Sequence, residues 1–461
     1  MILLPLSQQV DIRSVEHNPI STRFPPLITV PRCIGESFTG KSLYIYNLEP
    51  HHAPNHARKG YTPLSSSPDW DVIILGAGAS GLMCAATAGR RGRRVMVVDH
   101  ARRAGEKIRV SGGGRCNFTH LKASAHHYLS DPASDPNFPQ AALKAFTPKA
   151  FLDLLGRHGI SHHEKTPGQL FCDHSAEQVV AMLLAECQRS KVKVLLEQTI
   201  QQVTALPSGF RVQTAQGTWT TRALVVALGG RSMPKLGATP LGYEIARQFG
   251  LRIVPTRPGL TPLSFGGDIR ESCRDLTGLS VQATVTCQSA RFTDDLLFTH
   301  RGLSGPVILQ ISSHWRGGEA ITVDLTPGVA IYPLLKQARE REPGLNLRTI
   351  VSRFLPKRLA LQRIALAGGD GRMAEIADKR LQLAAELVNQ WRVTPNGTGG
   401  FDRAEVTVGG VDTRALDPHT LACPSVPGLY CIGEVVDVTG WLGGFNLQWA
   451  WSSGHAAGSA V

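Results

Sequence analysis

The sequence predicts an α/β fold in which a parallel-sheet domain is interrupted by an inserted β region and a small helical region. Three observations predict it. The apolar run Asp71–Leu75 leads into a glycine-rich turn, a small-residue helix and a second apolar run, the pattern of a βαβ unit. Residues 255–325 are rich in Thr, Val and Gly in short alternating runs, and residues 330–392 carry Leu, Ala, Arg and Glu at helical spacing. After Gly409–Gly410 the chain returns to an apolar strand, a glycine turn and a terminal helix.

Composition bounds the rest. The chain has 461 residues, 42% hydrophobic and 18% charged, the balance of an ordinary globular protein. At ~100–200 residues per domain it has room for several domains. No run approaches the ~18 apolar residues of a membrane span, and the 47 glycines follow no three-residue period, which excludes collagen. Lys and Arg number 49 against 36 Asp and Glu, a formal charge of +13. That surplus favours anionic partners such as phosphates, nucleic acid or acidic lipid. The charge is scattered, so the first reading is a basic soluble enzyme. Nine cysteines, odd in number and without C-x-x-C, point away from disulfides and zinc and toward reduced thiols in the cytoplasm. Met1–Leu6 lacks a basic start and is broken by Pro5, so no secretory signal is expected.

Residues 1–68, with scattered prolines, histidines and serines, are expected to form a mostly disordered arm. Order is expected from Trp70. The strand Asp71–Leu75 precedes a helix Ala79–Arg91 and a strand Arg94–Val98 that ends at Asp99. Arg90, Arg91, Arg93 and Arg94 fall where that helix ends, and positive charge there complements the helix dipole. Helices are expected over 148–157 and 175–189. Strands are expected over 192–196, 210–214 and 223–228, the last stopped by Gly229–Gly230. Residues 69–254 and 396–461 thus form two parts of one domain, which encloses a β domain at 255–328 and a helical domain at 329–395.

Gly76-Ala-Gly-Ala-Ser-Gly81 fits G-x-G-x-x-G after a strand and before a helix. Gly76 permits the tight turn, Gly78 lets a pyrophosphate approach the backbone, and Gly81 lets helix and strand pack closely. Free N–H groups around Ala79 and Ser80 attract the anion. Asp99 stands 18 residues after Gly81, placed to accept ribose hydroxyls. Together these predict a Rossmann-like dinucleotide site. FAD and NAD both satisfy it.

Two remote segments favour FAD. Gly105–Asn117 carries Lys107, Ser111, Gly112, Gly113, Arg115 and Asn117 around three consecutive glycines, a loop that can lie against a flat ring and a phosphate. Gly433–Glu434 and then Thr439–Gln448 form a strand end, an acid, a glycine turn and a helix start. The acid can bind ribityl hydroxyls, and the helix N-terminus would stabilise negative charge on a reduced ring.

With these segments the chain from about Trp70 onward resembles the BaiN-like flavoproteins, also called the aminoacetone-oxidase family. The motif S-G-G-G-R-C-N stands at Ser111–Asn117. The motif G-E-x-x-D-x-x-G-x-x-G-G-[YF]-N-L-Q-W-A stands at Gly433–Ala450, and F-T-H-x-G-L-S-G-P at Phe298–Pro306. Ala227–Gly230 resembles the family's A-T-G-G. The resemblance implies an FAD-binding Rossmann-like domain with inserted β and helical domains. It extends the expected cofactor contacts to Val203, Gly229, Gly230, Asp437, Gly444, Asn446 and Leu447. Thr239–Tyr243 and Gly168–Cys172 depart from the family pattern, so no one member's substrate carries over.

Other residues read more plainly. Cys116 has no C-x-x-C partner and reads as a buried small hydrophobe. Lys107 and Arg115 suit a pyrophosphate, a substrate carboxylate or a structural ion pair. His300 reads as a turn residue before a general acid, and Trp449 and Trp451 as core, while Trp441 suits stacking on a ring. His162–His163 lacks further ligands, so no metal is expected. A second G-x-G-x-x-G is missing, which argues against a two-dinucleotide reductase. No catalytic acid or base is assigned.

The sequence therefore predicts an FAD-dependent oxidoreductase that transfers hydride at flavin N5, with an unidentified small molecule as substrate and NAD(P)H as a transient donor. The alternatives are an amine oxidase using oxygen and, ranked below for want of an aromatic-plus-basic motif, an RNA-associated FAD-binding protein. Purified protein is expected to be yellow. Anaerobic addition of NADH or NADPH should bleach it, whereas bleaching by an amine alone would favour the oxidase.

Overall fold

The computed structural model describes residues 68–461; the expected arm, up to residue 67, lies outside the described residues. Seven strands form the main sheet: β1 (Trp70–Leu75), β2 (Val95–Val98), β3 (Lys193–Leu195), β4 (Ile200–Leu206), β5 (Gly209–Thr214), β6 (Thr218–Val226) and β7 (Leu429–Cys431). β3, β2, β1, β6 and β7 lie side by side and parallel. β5 and β4 add to β6 antiparallel. β6 is longer than the apolar run in the sequence. Its second half, Ala223–Val226, is buried between β1 and β7, while Thr218–Thr221 pairs with β5 in a half-exposed hairpin. Strands covered on both faces read as continuous apolar runs; edge hairpins do not.

Two helices cover the centre of this sheet. α1 (Ala79–Arg90) follows β1, and α2 (Phe445–Ala460) closes the chain. Their contact is backbone against backbone. A Cβ on Gly454 would overlap the carbonyl of Ser80, and one on Gly458 the carbonyl of Cys84. Both contacts advance by four residues, so the helices run parallel and their N-termini point the same way. α2 also begins about two turns earlier than α1 relative to this contact, an offset of roughly 12 Å at 1.5 Å per residue. Trp449 and Trp451 on α2 are buried and donate to the carbonyls of Gly433 and Phe118, so their expected place in the core is observed. At the far end of α2, Arg91 and Arg93 bond the carbonyl of Val461.

The strands Ile253–Gly259 and Val406–Val411 pair antiparallel and connect the main sheet to a second body. There, a seven-stranded sheet runs in the order Trp391–Val393, Ile321–Asp324, Ser280–Cys287, Ala290–Thr299, Gly302–Ser304, Leu263–Ser264, Gly397–Thr398. The helices Ile331–Arg341, Leu347–Val351, Lys357–Leu366 and Asp378–Asn389 lie in the expected helical stretch. One buried cluster takes Val285 and Phe298 from the strands together with Leu335, Leu359 and Leu381 from the helices. The stretch read as purely β also contains the helices Gly267–Asp275 and Pro306–Ser312. Three short strands absent from the sequence reading, Asn117–His120, His162–Thr166 and Gln169–Cys172, form a small antiparallel sheet beside α2. No helix among the described residues is long and apolar enough to cross a membrane.

Replacing Gly454 by Val should force α1 and α2 apart. The expected loss is about 1–3 kcal/mol, typical of overpacking, read as a lower urea midpoint, with weaker FAD binding because both helix N-termini move.

Candidate functional site

The parallel strands end where α1 and α2 begin, and a cavity of about 520 Å³ opens there. In open α/β sheets this is the crevice where ligands bind. Neither helix has a side-chain cap or an acid in its first turn. Their first N–H groups are therefore unpaired by the helices themselves, and the positive ends of both dipoles face one space.

The glycines divide by role. Gly76 has φ +112°, and a Cβ there would overlap the carbonyl of Ala227; a Cβ on Gly81 would overlap Gly76. These two let the turn close and the helix pack on the strand. At Gly78, Gly113 and Gly229 a Cβ would meet nothing within 4 Å, so the missing side chains leave the cradle open. Asp99 closes one end of the cavity. Its Oδ2 accepts from Ala77 N at 2.6 Å and its Oδ1 from Ala101 N at 2.8 Å. Each oxygen keeps lone-pair capacity for a further donor.

Lys107 and Glu434 cross the middle of the cavity. Lys107 Nζ lies 2.8 Å from Glu434 Oε2 and 2.7 Å from Ser232 Oγ. Glu434 Oε1 accepts from Ser232 Oγ at 2.8 Å and from Thr407 N at 2.9 Å. Burial works against the charge on Glu434, but Lys107 and these hydrogen bonds outweigh it and hold the carboxyl below its ordinary range. Glu434 thus acts on the cavity first by fixing Lys107, and its oxygens are already engaged before any ribityl hydroxyl arrives.

At the other end stand Ser111, Gly112, Asn117, Gln169, Phe171, Leu442, Gly443, Gly444, Asn446 and Leu447. Asn117 Nδ2 donates to Gln169 at 3.2 Å, while its Oδ1 is buried without a partner. A buried acceptor without a donor is costly, and a ring N–H would satisfy it. The side chain of Asn446 is spent on its own turn, accepting from Gly440 N at 2.8 Å and donating to Gly440 O at 2.9 Å. It shapes the start of α2 and leaves the backbone of that turn to face the cavity. An open glycine cradle, two convergent helix N-termini and an orphaned acceptor suit an elongated, anionic, ring-bearing group such as FAD.

Of the residues expected from sequence, Gly76, Gly78, Ala79, Ser80, Asp99, Lys107, Ser111, Gly112, Gly113, Asn117, Gly229, Gly230, Glu434, Gly444, Asn446 and Leu447 line this cavity. Five expected positions do not. Gly81 lies behind the turn. Gly433 is pressed against Ser80, where a Cβ would overlap the hydroxyl. Val203 is buried in β4, and its carbonyl accepts from Gln248. Arg115 is exposed and is not part of the lining. Asp437 is 1% exposed and accepts from Asp131 N at 2.7 Å. The lining also includes His100, Gln169, Phe171, Met233, Leu260 and Glu405, none of which the sequence singled out. Gln169 and Phe171 had one signal, their place in the departing stretch Gly168–Cys172. Cys116 is fully buried, and burial pushes its thiol far up, consistent with an inert side chain. His300 sits exposed in the turn between two strands of the second body.

The sheet, its glycine turn and this cavity define an FAD-dependent oxidoreductase. Residues 70–460 match the HI0933-like protein Rossmann domain, and the chain belongs to that family. It is 46% identical over 395 residues to a ribosomal RNA dihydrouridine synthase of Escherichia coli (strain K12), a match covering 84% of this chain and 96% of that protein. A protein of the same name from Haemophilus influenzae is 44% identical over 84% of this chain and 98% of its own length. A 3-dehydro-bile acid delta(4,6)-reductase of Clostridium scindens is 29% identical over 85% of this chain and 98% of its own.

Asp437 supplies a pH test. Burial raises its carboxyl from 3.8 to about 6. A carboxyl raised on folding stabilises the native state below its ordinary value, and that contribution is lost as pH rises through the folded value. Asp437→Asn should therefore flatten stability between about pH 4 and 6. At pH 7 it should gain up to about 3 kcal/mol over the wild type, measured by urea unfolding across pH.

Proposed function

We propose that this protein reduces a carbon–carbon double bond conjugated to a carbonyl, and that its substrate is a uridine in ribosomal RNA, converted to dihydrouridine. The observation that carries the reading is the near full-length similarity to two proteins named for that product. A third relative, named as a reductase of a different compound, shares the chemistry at a coarser level. The C5=C6 bond of uracil is conjugated to the C4 carbonyl, so saturating it is an enone-type reduction. Within the two chemistries compatible with the sequence, this favours the reductase.

FAD, when bound, supplies hydride chemistry at its N5 atom. The chain's own residues orient and stabilise. The start of α2 presents backbone N–H groups that favour negative charge at the ring end of the cavity. Leu442 N donates to the buried Gln310 Oε1 at 2.6 Å, tying that turn to the second body and holding the cavity wall in place. Lys107, fixed by Glu434 and Ser232, holds a positive charge at mid-cavity. The overall charge of +13 suits an RNA partner, which the sequence alone had ranked lower.

FAD-loaded protein incubated with unmodified ribosomal RNA and NADPH is expected to add one molecule of H₂ to a uridine. Mass spectrometry of the digested RNA reads this. Unchanged RNA, with the flavin reoxidised by oxygen alone, would overturn the reading. The rate at limiting RNA should also fall steeply as salt rises.

A further inference from the structure

We propose that Glu405 is the acid that delivers the proton to the substrate carbon during double-bond reduction, an assignment that rests on the reading above. Saturating an enone takes a hydride and a proton, so the cavity must hold a proton donor. Among the described residues four acidic residues line it: Asp99, Glu106, Glu405 and Glu434. Three are engaged. Asp99 holds Ala77 N and Ala101 N. Glu106 is clasped by the guanidinium of Arg103 at 2.9 and 3.1 Å. Glu434 holds Lys107, Ser232 and Thr407 N. Among the described residues the side chain of Glu405 has no hydrogen bond and no ion pair, and the residue is exposed and lines this cavity. Among the described residues no tyrosine or cysteine lines the cavity. His100 sits against Asp99, at 3.6 Å.

The backbone fixes the position of Glu405. Its N–H donates to Leu260 O at 3.3 Å, and its carbonyl accepts from Ser232 Oγ at 3.3 Å. It thus stands where the two connecting strands leave the main sheet, beside Leu260 and Val406, which also line the cavity. The charged groups nearby are paired, stacked on a ring or exposed. Lys107 and Glu434 hold each other beyond Ser232, Arg231 stacks on Phe401 at 4.4 Å, and Arg403 precedes it on its own exposed segment. Burial alone raises the Glu405 carboxyl, with no contribution from any charged neighbour. A carboxyl raised by its surroundings and left without a partner is suited to general-acid catalysis.

The step balances on the substrate. The carbon β to the carbonyl, C6 of uracil, takes a hydride whose two electrons come from FAD reduced by a nicotinamide. The π electrons of C5=C6 move toward the C4 oxygen as an enolate. C5 then takes the proton of the Glu405 O–H, whose bonding pair stays on the carboxylate, and solvent reprotonates the side chain.

The test uses FAD-loaded protein reduced with dithionite and mixed in a stopped-flow instrument with unmodified ribosomal RNA or with oxygen. Glu405→Gln is expected to slow reoxidation by RNA by ~10²–10⁴-fold, the usual worth of a general acid. FAD affinity and reoxidation by oxygen, which protonates no carbon, should stay within about twofold of the wild type in the variant. Glu405→Asp should restore part of the rate, and the alkaline limb of the wild-type pH profile should vanish in Glu405→Gln. In the apoprotein, infrared titration should show a protonated carboxyl band persisting above the ordinary glutamate range and absent from Glu405→Gln. Wild-type reoxidation by RNA that survives the substitution with its pH profile intact overturns the assignment. So does a variant that loses FAD affinity and oxygen reactivity together, which marks a structural role. If RNA fails to reoxidise even the wild type, the uridine reading fails and this role falls with it, a result visible before any variant is made.

Discussion

The close contact between α1 and α2 is the constraint on which the site depends. Gly454 and Gly458 admit the carbonyls of Ser80 and Cys84 where any side chain would exclude them. Because the contact is parallel, two uncapped N-termini face the same cavity, offset along it by about two helical turns. An anionic group lying along that line meets positive dipole ends at both stations. The helices are otherwise buried on nearly every side, so they cannot slide to relieve a misfit.

Charge within the cavity is arranged around one uncommitted acid. Asp99 braces the glycine turn, Glu106 is held by Arg103, and Glu434 fixes Lys107. These pairings turn carboxylates into scaffolding, each stabilising the loop that bears its partner. The contrast between Glu434 and Glu405 shows how neighbours decide the outcome of burial. Lys107 holds the first carboxyl low, while at the second no charged neighbour offsets the raising effect of its surroundings.

The second body is coupled to the site at two places. The strands Ile253–Gly259 and Val406–Val411 carry Leu260 and Glu405 to the cavity edge, and Gln310 anchors Leu442 in the turn before α2. A body inserted between two halves of a nucleotide-binding domain can thereby shape the space where a substrate would sit without supplying the cradle itself.

Much of the cradle was legible in the sequence because it is local. Gly76–Gly81 with Asp99, and the run Gly433–Leu447, are each defined by residues close in the chain, whose turn geometry and helix starts follow from glycine and from spacing. The apolar runs of β1, β2 and the second half of β6 were legible for the same reason, since strands buried on both faces announce themselves. The edge hairpin, the small sheet around Gln169–Cys172 and the helices within the β stretch were not, because their partners are distant and their patterns are short. Asp437 and Val203 read as contacts but pack away from the cavity, since a motif specifies neighbours along the chain and not the direction a side chain takes. By itself the sequence determined a dinucleotide turn, its acid and a second glycine segment. Only the tertiary structure decided that the two segments meet along one groove, and which of the four carboxyls there, among the described residues, is left without a partner, because a pairing such as Lys107 with Glu434, 327 residues apart, exists only once the chain has folded.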